Sequence, residues 1–396
     1  MNDLLSVAEA LARVLNRVEP LDAERVALTS ASSRVSAEDV VSAVDVPPFR
    51  SSSMDGYAVR AADLPARLAI VDRAAAGRPS QAALTSGQAI EISTGAVVPD
   101  GADTVVPIER VEVDGDAVTI PEPVPTRDNI REPGGDVEAG STLVSPGDVL
   151  TPARLGALAA CGVASVLVHR VPHVTIVVTG TELRPPGVQL APGQIYESNG
   201  VMLAAVMEEA GATVTRLAAS EDTEDAHAAS LEEALASDVV VTSGGVSVGP
   251  HDLVRRVQAR LGVEEVFWGV AMRPGKPLAF GCRGRTLVFG LPGNPVSALV
   301  GALLFVRPAL LALVGNPDPA PPFRPGILAA PIQPRPERDD FVRARVTWSD
   351  EGALVQPIVG QESHMIMHTS AATGLVWIPR GVGALEAGSR VRFLPL

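Results

Sequence analysis

Three turn-rich loops fall within residues 239–298, and each follows an apolar run. They read Thr242-Ser243-Gly244-Gly245-Val246-Ser247-Val248-Gly249, Met272-Arg273-Pro274-Gly275-Lys276-Pro277 and Gly290-Leu291-Pro292-Gly293-Asn294-Pro295-Val296-Ser297-Ala298. Around them, from 173 to 314, the periodicity alternates. It predicts strands over 174–178, 213–217, 239–242, 264–268, 278–281 and 286–289. Helices are predicted over 200–210, 225–236, 252–261 and 295–313. Gly211 stops the first helix, Asp225 opens the second, and Asp252 is the N-cap of the third. Alternation of this kind builds a sheet covered by helices. Ligands on such sheets sit at the carboxyl ends of the strands, the edge where all three loops fall.

The middle loop holds Lys276, the only lysine in the chain; every other basic residue is arginine. An ammonium is a compact mobile charge, whereas guanidinium is a planar fork. Glycines in the outer loops let backbone amides approach an anion, and Ser243 and Ser247 can donate to it. Pro295 sits in the first turn of a helix whose exposed amides favour phosphate. Each loop alone also reads as a packing turn, a rigid elbow or a solvated turn. Three together at one edge point to an anion site for phosphate.

Carboxylates stand in loops beside Gly, Ser or Thr: Asp55, Asp136, Glu182, Asp222 and Asp252. They suit a hard cation such as Mg2+, which takes one or two carboxylates plus substrate phosphate. Each reads equally as an N-cap or Asx-turn residue. His364 and His368 have i, i+4 spacing but lack the glutamate of a zinc-protease motif, so a surface or interface role is expected. There is no G-x-S-x-G motif, Walker A loop or dinucleotide fingerprint.

With 396 residues, 46% hydrophobic, 20% charged and only 3% aromatic, the chain reads as a soluble globular protein whose cores are aliphatic. Its length suggests two to four domains. A net charge of −14 opposes a nucleic-acid partner or an anionic membrane surface. Cys161 and Cys282 lie in apolar or glycine-rich surroundings without CxxC spacing and read as buried thiols. The N-terminus lacks the basic region of a signal peptide. The apolar stretch 296–314 is interrupted by Arg307-Pro308, which leaves either side too short to span a bilayer. A reducing cytoplasm is expected.

Elsewhere, residues 4–18 have helical periodicity with a Ser6/Glu9 capping box, ended by Pro20. From 59 to 125, short β runs (68–71, 89–93, 104–108, 117–120) indicate a β-rich domain. Residues 152–168 read as helix, glycine, strand. A proline-rich linker, 315–322, leads to β runs at 326–330, 341–348, 353–358, 374–378 and 390–394, expected to form a small barrel or sandwich.

Seven motifs, in order and spread over nearly the whole chain, carry a resemblance: Ser53-Met54-Asp55-Gly56-Tyr57-Ala58, Ser93-Thr94-Gly95-Ala96, Asn129-Ile130-Arg131, Gly180-Thr181-Glu182-Leu183, Ser243-Gly244-Gly245-Val246-Ser247, Pro274-Gly275-Lys276-Pro277 and Gly290-Leu291-Pro292-Gly293-Asn294-Pro295. Together they resemble the MoeA family of molybdopterin molybdenumtransferases, to which one part of gephyrin is similar. The resemblance implies a multidomain α/β plus β fold. Its parts are an elongated linker and dimerisation domain (1–48 with 127–172), a β-rich second domain (49–126), a central MogA-like α/β domain that binds molybdopterin (173–315), and a C-terminal small β-barrel (323–396). It implies a homodimer, with molybdopterin adenylyltransferase as the upstream partner. The implied reaction is Mg2+-dependent cleavage of adenylylated molybdopterin, with insertion of molybdate and release of AMP.

Carried over residue by residue, the catalytic set is Asp55, Thr94, Glu182, Asp222, Asp252 and Lys276. Asp55 and Thr94 would come from the partner subunit. Glu182, Asp222 and Asp252 are the candidate metal ligands. Arg131, Asp136, Ser243, Gly244, Gly245, Ser247, Arg273, Pro292, Asn294, Pro295 and Ser363 are the candidate substrate-binding residues. Gly269 and Arg273 stand where many relatives carry lysine. The alternatives are a non-catalytic pterin-binding scaffold and an enzyme that adenylylates molybdopterin, which would release pyrophosphate rather than AMP.

Overall fold

The structure is a computed structural model describing residues 4–220, 224–244, 253–350 and 352–396. The chain divides into two compact units. One comprises residues 1–24, 33–35 and 169–396, and the other residues 25–32 and 36–168.

The first unit contains a six-stranded mixed sheet. His173–Thr179 lies between Thr213–Ser220 and Val239–Ser243, parallel to both, and Val239–Ser243 is parallel to Thr286–Leu291. Ala279–Arg283 then runs antiparallel between Thr286–Leu291 and Glu264–Trp268. Because Glu264–Trp268 runs in the same sense as the parallel strands, the connection 269–278 leaves from their carboxyl edge. All three glycine loops therefore share one edge.

Side-chain alternation sorts the core into two layers. Val174, Ile176, Val239, Val241 and Phe289 pack on one face against Leu304 and Phe305 of the helix 295–313 and Leu203 of Asn199–Glu209. Val177, Val240 and Val288 pack on the other face against Leu231 and Val257. With few aromatic residues in the chain, Phe267, Phe280 and Phe289 stack in a row, with centroids 5.8 and 4.9 Å apart.

Local chemistry accounts for several boundaries. Ser6 caps the helix Val7–Leu15 in a full capping box, and its hydrogen bonds hold the Glu9 carboxyl below the usual range. Gly211, with φ +86°, follows the helix Asn199–Glu209. Asp252 lies outside the described residues. Arg307-Pro308 does not interrupt its helix, contrary to the sequence reading. The helix runs unbroken from Pro295 to Leu313, because a widened turn over Ala302–Val306 accommodates the missing proline N–H. It is long and apolar enough to cross a membrane, but it is mostly buried as the central core helix. Cys161 and Cys282 are buried free thiols, and burial pushes Cys282 up.

Residues 324–395 form a closed five-stranded barrel. Asp339–Ser349, Gly352–Pro357, Arg324–Leu328, Arg390–Pro395 and Gly374–Ile378 follow one another, and the last pairs back onto Asp339–Ser349. Met272–Arg273 adds two residues to it, parallel to Asp339-Asp340, so the lysine loop is stitched to the barrel.

The second unit holds a six-stranded sheet in the order Thr104–Pro107, Gly56–Val59, Gln88–Ile92, Ala66–Ala74, Ala117–Ile120, Glu112–Asp114.

Candidate functional site

The strand-end turns of the first unit meet closely. Ser243 pairs with Val178 on one side and Leu291 on the other, and the Gly244 N–H donates to the Leu291 carbonyl at 3.2 Å. Gly244 has φ +97°, and a Cβ there would lie 2.7 Å from the Thr179 carbonyl oxygen, so only glycine lets these backbones approach. A cavity of about 790 Å3 opens above them. It is lined by Gly180, Glu182, Ser243, Gly244, Pro277, Pro292, Asn294 and Pro295, with 195–199, His364 and Ile366 on its other walls.

Glu182 is exposed, and its carboxylate folds back over Gly180, where both oxygens would be 2.8 Å from a Cβ. Glu197, also in the wall, accepts the Gly200 N–H at 2.6 Å, placing negative charge at a helix start. Asn199 donates to the Ser243 hydroxyl at 2.9 Å and to the Gly293 carbonyl at 2.8 Å.

Lys276 is half-buried beside the cavity-lining Pro277. Among the described residues no carboxylate lies within 4 Å of its ammonium, whereas arginines make the ion pairs. Arg273 is placed differently. Its Nε lies 3.6 Å from the buried Asp340, and it lines a separate hollow of about 230 Å3 against the barrel. Ser363 touches the helix start through its backbone, its carbonyl accepting the Val296 N–H at 3.1 Å. One amide expected to be open to an anion is therefore already engaged. His364 is exposed at the cavity wall. Gly269 turns at φ +87°, and a Cβ there would lie 2.7 Å from a Leu4 methyl, so a lysine at 269 would need that side chain to move.

Asp55, Thr94, Arg131 and Asp136 belong to the second unit. The Thr94 N–H donates to the Asp55 carboxylate at 2.7 Å. Ser52 binds the Ser93–Ala96 turn through two backbone hydrogen bonds, and the Ser53 N–H donates to the Asn129 carbonyl. Arg131 pairs with Ser51. Three of the sequence motifs therefore converge there. Asp136 is exposed, and its N–H donates to the Val46 carbonyl. Gly245, Ser247, Asp222 and Asp252 lie outside the described residues. Among the described residues, no three His, Cys, Asp or Glu side chains gather as a metal set.

Family models match along the chain: the MoeA N-terminal region (domain I and II) over residues 5–162, a probable molybdopterin binding domain over 175–312, and the MoeA C-terminal region (domain IV) over 325–396. The chain belongs to the MoeA family. A family member from Mycobacterium tuberculosis, molybdopterin molybdenumtransferase 2, is 39% identical over 383 residues, covering 93% of each chain. The molybdopterin molybdenumtransferase of Haemophilus influenzae is 34% identical, covering 99% of this chain and 98% of the other. The crystal structure of the molybdopterin biosynthesis MoeA protein from Pyrococcus horikoshii OT3 superposes with a TM-score of 0.85 at 29% identity over the full length of both chains.

Sequence reasoning missed Tyr196, Glu197 and Asn199 as cavity residues. A signal for the last two was present: Glu197-Ser198-Asn199 is a polar run directly before an apolar helix, which is cap chemistry.

Proposed function

We propose that the chain transfers molybdenum in cofactor biosynthesis, inserting molybdate into adenylylated molybdopterin with release of AMP. Membership of the MoeA family over the whole chain supports the transferase class. One observation favours the phosphate chemistry: the cavity where three strand-end turns converge has Glu182 and Pro277 on its wall, and Lys276, next to Pro277, has no acid partner among the described residues. Lys276 offers a cation for the substrate's anionic groups. Gly244 and Ser243 form a floor too tight for bulkier residues. Glu197 and Asn199 fix the helix behind that floor.

The wall chemistry suits magnesium, since Glu182 is an exposed carboxylate lining a cavity suited to phosphate. In this reading Glu182 holds the ion together with substrate oxygens, joined by Asp222 and Asp252. The ion would neutralise charge developing on the leaving phosphate. The same reading includes a homodimer in which Asp55 and Thr94 of a second protomer complete the site, supply of substrate by a molybdopterin adenylyltransferase, and a cytoplasmic location.

The test uses the purified protein with adenylylated molybdopterin, molybdate and Mg2+, following AMP release and molybdenum incorporation. Both are expected for the wild type. Glu182→Gln and Lys276→Ala are each expected to lower the rate by about 100-fold, as for loss of an electrostatic stabiliser. Pyrophosphate as the product, or no turnover by the wild type, would overturn the proposal.

A further inference from the structure

Asn199 opens the helix Asn199–Glu209 and is 7% exposed. Both hydrogens of its amide nitrogen are used, one on the Ser243 hydroxyl at 2.9 Å and one on the Gly293 carbonyl at 2.8 Å. Ser243 ends the strand Val239–Ser243, and Gly293 stands just past the strand Thr286–Leu291. A single side chain therefore bridges two of the three glycine loops from the cavity wall. The amide orientation follows from the acceptor: a flipped amide would set oxygen against the Gly293 carbonyl oxygen. The Asn199 Oδ1 is buried and has no hydrogen-bond partner among the described residues. An unpartnered buried oxygen is costly, so Asn199 is held here for its two donors.

We propose that Asn199 is a positioning residue, clamping the Ser243–Gly244 and Pro292–Pro295 turns in the spacing the reaction needs. The inference rests on the transferase reading of the same cavity. Asn199 touches neither reacting atoms nor the metal in this role, and acts through the two turns. Leu at this position would fill the space but supply no donor. Asp keeps the shape and supplies a donor only when protonated.

The experiment compares wild type, Asn199→Asp and Asn199→Ala for molybdenum insertion between pH 6 and 8.5, separating kcat from KM. At pH 8, Asn199→Asp is ionised and its oxygen faces the Gly293 carbonyl. Its kcat is expected to fall about tenfold, from the loss of both donated hydrogen bonds and repulsion by the Gly293 carbonyl, with KM changed less than about twofold. Burial and the adjacent carbonyl raise the pKa of an acid placed there. Its kcat relative to wild type is therefore expected to recover severalfold toward pH 6, as the proton restores one donor. Glu182, Glu197 and His364 line the same cavity in both proteins, so the comparison is made as a ratio to wild type at each pH. Asn199→Ala has no proton to regain and is expected to stay low throughout.

A pH-independent ratio for Asn199→Asp, or wild-type kcat in Asn199→Ala, would overturn the clamp. If Asn199→Asp does not fold, Asn199→Ser decides, since it keeps one donor. Its kcat is then expected between wild type and Asn199→Ala, and equality with Asn199→Ala would overturn the proposal. A wild-type protein without turnover would instead sink the transferase reading and leave the clamp to be read from AMP affinity, expected to weaken in Asn199→Ala; unchanged AMP affinity would then overturn it.

Discussion

Gly244→Ala puts one methyl group at a tight point of the cavity floor, and its cost follows from two features of the backbone there. The backbone there has φ +97°, which an L-residue adopts at a cost of about 1–3 kcal/mol. The new Cβ would lie 2.7 Å from the Thr179 carbonyl oxygen and 3.1 Å from its hydroxyl. Ordinary contact begins near 3.4 Å, so the 239–243 and 173–179 strand ends must part by some tenths of an ångström. Overpacking of this kind costs about 1–3 kcal/mol. A total near 3 kcal/mol is expected.

Two controls isolate the terms. Gly284→Ala shares the left-handed backbone, φ +59°, but no atom lies within 4 Å of its Cβ, so about 1 kcal/mol is expected. Gly293→Ala, on the same cavity rim, has no positive φ, and its nearest neighbour is the Gly244 Cα at 3.6 Å; its cost is expected to be under about 1 kcal/mol. Urea midpoints should therefore fall in the order Gly293→Ala, Gly284→Ala, Gly244→Ala. AMP affinity, measured by calorimetry, should weaken only for the last. Equal midpoints for Gly244→Ala and Gly284→Ala would refute the claim that close approach of the turns, rather than turn geometry alone, requires this glycine.

Asp238 gives a pH-dependent prediction. Burial acts to raise its pKa, but the paired Arg170 guanidinium and the His173 N–H outweigh it and hold the carboxyl below its usual value. A depressed folded pKa gives stability that is full above the unfolded pKa, near 3.9, and is lost as pH falls through the lower folded value. Asp238→Asn should thus lower stability by about 2 kcal/mol at pH 7, discounted for the partly exposed arginine. The gap to wild type should close below about pH 4, and a gap constant from pH 7 to 3 would contradict it.

Arg343 is 1% exposed, and its guanidinium donates to Gln361, Thr369 and the carbonyls of Gly360, Glu362 and Met365. Arg343→Met should leave those acceptors without donors. It should destabilise the barrel by about 3 kcal/mol and speed proteolysis of 360–369. An unchanged proteolysis rate would count against it.

What could be read from the sequence was the chemistry that acts over a few residues. The Ser6/Glu9 box, Gly211 behind its helix and the strand periods of 324–395 are local instructions, and the structure follows them. The shared edge of the three loops was also legible, because strand direction in a helix-covered sheet leaves little choice. Arg307-Pro308 misled because a proline inside a helix is disruptive only where the surrounding core cannot hold the widened turn. Here Phe305, Val306, Ala309 and Leu310 are fully buried around it. Asn199 escaped notice because its partners, Ser243 and Gly293, lie 44 and 94 positions away. No periodicity encodes such a contact.

Arg273 and Lys276 show how far residue type alone carries. Three positions apart in one loop, both read as cations for a phosphate. Pairing of Met272–Arg273 with Asp339-Asp340, a contact between residues almost seventy positions apart, gives the arginine a buried carboxylate. It thereby joins the loop to the barrel. In the same loop Pro277 lines the cavity, and its neighbour Lys276 has no acid within 4 Å among the described residues. A planar guanidinium suits a fixed partner in a seam, and a compact ammonium suits an anion that arrives and leaves. Of the loop's two charges, the arginine is therefore the one with a structural partner among the described residues.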